Sequence, residues 1–226
     1  MALQLATRRI ALVAGSTGLT GGHLLTQLLK DDRYSRIISL DRKASPTTNR
    51  NRLQQVVDFN KLPALSKTDD AYCCLGTTIK KAGSQAAFRE VDFEFVLNFA
   101  RAAKNAGAHR FLVVSSIGAN ARSNIFYSRV KGEMENALRE ISFGALHIFQ
   151  PSLILGERKE QRAVERFGIA VFNVMGVAML GPLRKYQPIN STTIAKAMIE
   201  AAFSDLAGTN IYQSDAIKKM VGCPLF

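Results

Sequence analysis

The chain of 226 residues sets 30 Lys and Arg against 18 Asp and Glu, a formal charge of +12, and is 47% hydrophobic. Its length suits one domain with a full core, and its hydrophobic content excludes a disordered or fibrous protein. The basic residues are scattered in short groups such as Arg8-Arg9 and Lys80-Lys81, without zinc-finger spacing or an RNA-binding signature. Such a charge suits nucleic acid, an anionic membrane surface or phosphorylated ligands, and the scatter of the cations disfavours the first.

In chain order, apolar runs bounded by turn residues alternate with helical patterns, which predicts an α/β fold with a parallel, doubly wound sheet of about seven strands. Strands are expected at 10–14, 36–40, 54–57, 70–74, 110–115, 145–150 and 209–212. Helices are expected near 20–31, 85–106, 126–141, 163–178, 191–203 and 214–220. Asn105-Ala106-Gly107 reads as a helix end, with Gly107 free to turn left-handed, and 190–193 (NSTT) reads as a helix start. The chain is expected to be one domain over 1–226, with a core of 8–150 plus 191–226. Residues 151–190 break the strand–helix rhythm and read as a small substrate-side appendage. Within it, 167–183 is apolar but interrupted by Asn173 and too short to span a bilayer, and 157–166 is a charge run. A buried helix is favoured for the apolar stretch over a patch on a membrane surface.

The three cysteines form no disulfide framework, and Cys73 and Cys74, adjacent in a strand, should face opposite sides as buried thiols. With no secretory signal legible, the expected compartment is the reducing cytoplasm. His23, His109 and His147 have no ligand-spaced partners, so no metal site is expected.

The first strand runs into Gly15, Gly18 and Gly21, spaced by three, and then into a helix. In that context Gly15 makes the turn, Gly18 admits a pyrophosphate, Gly21 lets helix and strand approach, and the helix N-terminus faces the phosphates. At the end of the second strand Asp41 is followed by Arg42 and Lys43. An acid there binds the ribose diol of NAD, whereas cations take the 2′-phosphate of NADP. The two cations are weighted above the acid, giving NADP with NAD as the alternative.

Tyr127 and Lys131 lie four apart in a helical pattern and so share a face, after Ser115 and Ser116 at the end of a strand. A nearby ammonium stabilises a phenolate and brings tyrosine into the range of proton transfer near neutral pH.

Glycine loop, serine pair and Tyr-x-x-x-Lys in this order resemble the short-chain dehydrogenase/reductase superfamily across essentially the whole chain. The segments AYCCLGTT (71–78), FLVVSSIGAN (111–120) and YSRVKGEMENAL (127–138) are similar to its atypical short members grouped with the Tat-interacting protein of animals. The resemblance implies a Rossmann core, NADP and a catalytic Ser116, Tyr127 and Lys131, with Ser115 the alternative serine. It further implies that Gly15, Ser16, Thr17, Gly18, Leu19 and Thr20 cradle the pyrophosphate. Arg42 and Lys43 would face the 2′-phosphate and Asp58 the adenine amine, while Leu75, Gly76 and Thr77 would line the adenosine side. Pro151, Ser152 and Leu153 would lie along the nicotinamide, and Lys131 would also hold its ribose. Asp41 and Gln150 depart from the family pattern, Gln150 standing where arginine is common. The expected function is reduction of a small carbonyl or apolar substrate, against the alternative of an NADP(H)-binding regulator or redox sensor with little turnover. A sugar-nucleotide enzyme is less favoured, because little chain remains after position 150 for a substrate domain.

Overall fold

The computed structural model describes residues 8–44, 49–156 and 181–223. The expected helix 163–178, the charge run 157–166 and residues 167–180 of the apolar stretch lie outside them. The first half of the chain gives β1 (Arg9–Ala14), α1 (Leu19–Leu28), β2 (Tyr34–Asp41), β3 (Arg52–Val56), β4 (Asp70–Cys73), α2 (Ile79–Ala82) and α3 (Gln85–Arg89). A π-helical turn, Glu90–Glu94, leads from α3 into α4 (Phe95–Asn105). Then come β5 (Arg110–Val114), α5 (Phe126–Glu140), β6 (Ala145–Gln150) and the short β7 (Ile154–Leu155) and β8 (Ile189–Asn190). The chain closes with α6 (Ser191–Ala202), β9 (Gly208–Gln213) and α7 (Ser214–Met220).

Seven strands form one parallel sheet in the order β3-β2-β1-β4-β5-β6-β9. This is the Rossmann arrangement: the order reverses beside β1, opening a crevice at the carboxyl ends of β1 and β4. Residues alternate between the sheet's faces, as the pleat requires. Leu12, Ile38, Cys73, Phe111 and Ile148 pack against α4 and α5 on one side. Val13, Ile37, Tyr72, Leu112 and Phe149 pack against α1, α6 and α7 on the other. Cys73 belongs to the first layer and Cys74 packs on the second, the opposed facing expected of neighbours in a strand.

Several details differ from the sequence reading. Strand β3 begins at Arg52 rather than 54 because the Arg52 guanidinium is buried against Asp41, so a charged residue enters the ladder. The helix expected over 85–106 contains the π turn, which carries Asp92 inward to a fully buried site. Asn190 does occupy the N-cap of α6, but its side chain makes no capping bond. Gly107, by contrast, takes the left-handed conformation at φ +90° as anticipated. At the ends of the appendage segment, Ile154 and Leu155 pair in parallel with Ile189 and Asn190.

Candidate active site

The glycine loop turns where only glycine can. Gly15 has φ +83°, and a Cβ there would meet the Cys74 carbonyl at 2.6 Å. A Cβ on Gly21 would lie 2.0 Å from the Gly15 carbonyl oxygen, so the first turn of α1 presses directly on the loop. Gly18 forms the N-cap of α1 without a side-chain cap, and the first turn holds no acidic residue. Its unpaired N–H groups and positive dipole end suit a phosphate.

Beside this loop opens a cleft of about 510 Å³. Of the residues expected to hold a dinucleotide, Gly15, Thr17, Gly18, Asp41, Arg42, Leu75, Gly76 and Thr77 line it. Phe59 and Phe95, with ring centroids 5.8 Å apart, form an aromatic wall that no sequence motif had marked. The cleft, the glycine turn and the uncapped helix end fit a dinucleotide.

Other expected contacts fall elsewhere. Leu19 lies with Ser16 and Thr17 along a separate depression on α1, and Thr20 is buried in the helix. Lys43 is exposed and outside the cleft lining, its carbonyl accepting from Gln54 Nε2 at 3.4 Å. Asp58 is exposed two residues beyond β3, where its Oδ1 accepts from the Asn60 N–H at 2.9 Å and shapes a turn. Phe59, the next residue, lines the cleft, whereas Asp58 does not.

Asp41 is 3% exposed. Its Oδ1 accepts the Ser16 hydroxyl at 2.6 Å. Its Oδ2 accepts Gln54 Nε2 at 2.8 Å and pairs with Arg52 at 3.0 Å. The Ser16 side chain is thus committed to Asp41, and only its backbone remains for a phosphate.

The second half of the site is built on α5. Tyr127 and Lys131 share a face of the helix, and the Tyr127 ring packs 5.3 Å from that of Phe88 on α3. Lys131 is 4% exposed and its ammonium lies 2.7 Å from Asp92 Oδ1. Burial disfavours that charge, but the Asp92 carboxylate and then Tyr127 more than offset the effect, holding Lys131 above the ordinary lysine pKa. Asp92 Oδ2 accepts the Thr77 N–H at 2.8 Å. A Cβ at Gly76 would lie 3.4 Å from Asp92 and 3.9 Å from the Lys131 ammonium. The end of β4 therefore borders both the nucleotide cleft and Lys131. Sequence reasoning missed Asp92, since a carboxylate in a helical run ordinarily reads as a solvated face.

The two serines separate. Ser115 is buried and donates to Glu135 Oε1 at 2.5 Å, while Gln150 Nε2 reaches the same carboxylate at 2.9 and 3.0 Å. Ser116 is half-buried, and among the described residues its hydroxyl donates to the adjacent Ile117 carbonyl at 3.3 Å. Pro151 is buried, and its carbonyl takes the Ile117 N–H at 2.9 Å, joining the loops after β5 and β6. The Ser152 hydroxyl is spent on the Gln187 carbonyl at 2.5 Å and is 3.0 Å from the Ser214 hydroxyl; Leu153 is exposed.

Residues 34–180 match the family model described as HIM1. Protein HTATIP2 of Rattus norvegicus is 38% identical over 160 residues, 68% of this chain and 66% of that protein. A protein of Lodderomyces elongisporus named FMP52, mitochondrial, is 33% identical over 211 residues, 87% of this chain and 88% of its own length. Among solved structures, DesIV, a dTDP-glucose 4,6-dehydratase of Streptomyces venezuelae with NAD and TYD bound, superposes with a TM-score of 0.69 at 14% identity, over 95% of this chain and 82% of that one. That likeness shows the fold alone. The expected cytoplasmic location is corrected by the fungal relatives, several of which carry the word mitochondrial in their names.

Proposed function

This chain belongs to the HIM1 family, an HTATIP2-like group of atypical short-chain dehydrogenases/reductases, and from that premise we propose that it is an NADP(H)-dependent reductase of a small or apolar carbonyl compound. The observation that carries this reading is the continuity at Gly76 and Thr77, which line the nucleotide cleft and abut the Asp92–Lys131 pair. A dinucleotide with its phosphates on the α1 N-terminus would thereby bring its other end toward α5. When bound, the nicotinamide supplies or accepts a hydride.

The protein's own residues do the rest. Ser116 holds the substrate oxygen and Tyr127 delivers its proton to it. Lys131, kept charged by Asp92, stabilises the tyrosine's phenolate form and orients the nearby ribose. Arg42, at the adenosine end, supports NADP over NAD. The mitochondrial names of the fungal relatives support the same compartment here, to be checked by fractionation of tagged protein.

The test is Tyr127→Phe, assayed over a panel of carbonyl compounds with NADPH. Loss of turnover by at least a hundredfold, with NADPH affinity within about twofold of wild type, is the expected result. Undiminished turnover in the variant would refute the role of Tyr127. Tight NADPH binding by the wild type without turnover of any substrate would instead mark a sensor.

A further inference from the structure

We propose that Arg52 selects the cofactor without touching it: together with Ser16 and Gln54 it withdraws the Asp41 carboxylate from the ribose and cancels its charge, so the adenosine end admits a 2′-phosphate. The inference rests on the nicotinamide cofactor proposed above. Asp41 stands at the end of β2, the position from which an acid takes the ribose diol of NAD and repels the phosphate of NADP. An unengaged carboxylate there, lining the cleft, would make this an NAD protein.

It is not unengaged. One oxygen takes the Ser16 hydroxyl at 2.6 Å; the other takes Gln54 at 2.8 Å and Arg52 at 3.0 Å. To bind a ribose diol, Asp41 would have to release these donors, two of them neutral and one charged. The Arg52 side chain is 2% exposed and that of Asp41 1%, so their attraction is little screened by solvent or salt. Nor is the guanidinium's placement casual: its Nε donates to the Ser39 hydroxyl at 3.0 Å, and Ser39 is fully buried on β2. The β2–β3 register sets the donors in place, with Arg52 opposite Ile37 and Gln54 opposite Ser39. What remains for the phosphate is Arg42, on the cleft wall next to the neutralised acid.

The experiment measures dissociation constants of NADPH and NADH by nicotinamide fluorescence, which needs no substrate. The wild type is expected to favour NADPH. Arg52→Gln should move the NADH-to-NADPH ratio of dissociation constants at least tenfold toward NADH, and Ser16→Ala, which loosens the same carboxylate without stranding a charge, by about threefold. The double variant Arg52→Gln/Asp41→Asn removes both charges with side chains of similar shape and should recover NADPH preference. An unchanged ratio in folded Arg52→Gln overturns the proposal, as does a double variant that fails to recover. Should Arg52→Gln not fold, an unchanged ratio in Ser16→Ala overturns it alone. A wild type that prefers NADH also refutes it, whereas a wild type that binds neither nucleotide refutes the proposed function itself.

Discussion

His147 is fully buried in β6, with Nδ1 3.0 Å from the Tyr212 hydroxyl and Nε2 without a hydrogen-bond partner among the described residues. Burial first, and the Arg110 charge second, push its pKa down to about 4. The folded protein therefore holds the ring neutral at pH values where the unfolded chain, near the ordinary 6.5, already binds a proton. The stability linked to this group is complete above about pH 6.5 and drains away as pH falls toward 4. Urea midpoints taken across that window should fall more steeply for the wild type than for His147→Gln. Parallel curves would show that the ring does not carry the acid sensitivity. Nothing in the sequence forecast this, because an isolated histidine in an apolar strand reveals neither its burial nor its unpaired nitrogen.

Helix α5 does more than present Tyr127 and Lys131. At Gly132, immediately after the lysine, a Cβ would stand 2.1 Å from the Ala121 N and 2.3 Å from the Asn120 carbonyl carbon. The loop after β5 thus lies against the helix backbone, with the Asn120 N–H donating to the Ser128 carbonyl at 3.0 Å. This contact fixes the loop that starts at Ser116. Gly132→Ala must push the loop away, at a cost of about 1–3 kcal/mol typical of overpacking, and should reduce turnover through displacement of Ser116. Denaturant unfolding and kinetics on one preparation check both effects; a neutral substitution would show that the loop yields freely. The glycine was visible in the sequence, but a glycine within a helical run gives no hint of which backbone approaches it. The Tyr–Lys spacing was legible because it follows from helical period alone. Asp92 was not, because a π turn shifts that period and moves a carboxylate from the expected outer face to the interior.

At the scale of the molecule, the strands and their parallel order follow from apolar runs alternating with helical patterns, and Gly15 and Gly21 behave as their strand-turn-helix context required. The sequence could not show that Asp41 is silenced, since its partners, Arg52 and Gln54, lie on another strand whose register only the fold establishes. Nor could it show how far the sheet depends on α6. Ile194, Met198 and Ile199 of α6 are buried against the face shared with α1, and Arg9 donates to the Ala202 carbonyl at 2.6 Å. Three such side chains, at ~1.5–3 kcal/mol each, approach the whole stability of a domain, ~5–15 kcal/mol. A chain ending at Gly156 should therefore lack cooperative thermal unfolding and should not bind NADPH, as circular dichroism and fluorescence titration would reveal; a cooperative, binding-competent fragment would contradict this. The same dependence orders events during synthesis. The glycine loop leaves the ribosome well before the helix and edge strand that close its sheet. Until they do, the apolar face that Ile194, Met198 and Ile199 cover has no partner helix, and the sheet that carries the glycine loop is left open on that side.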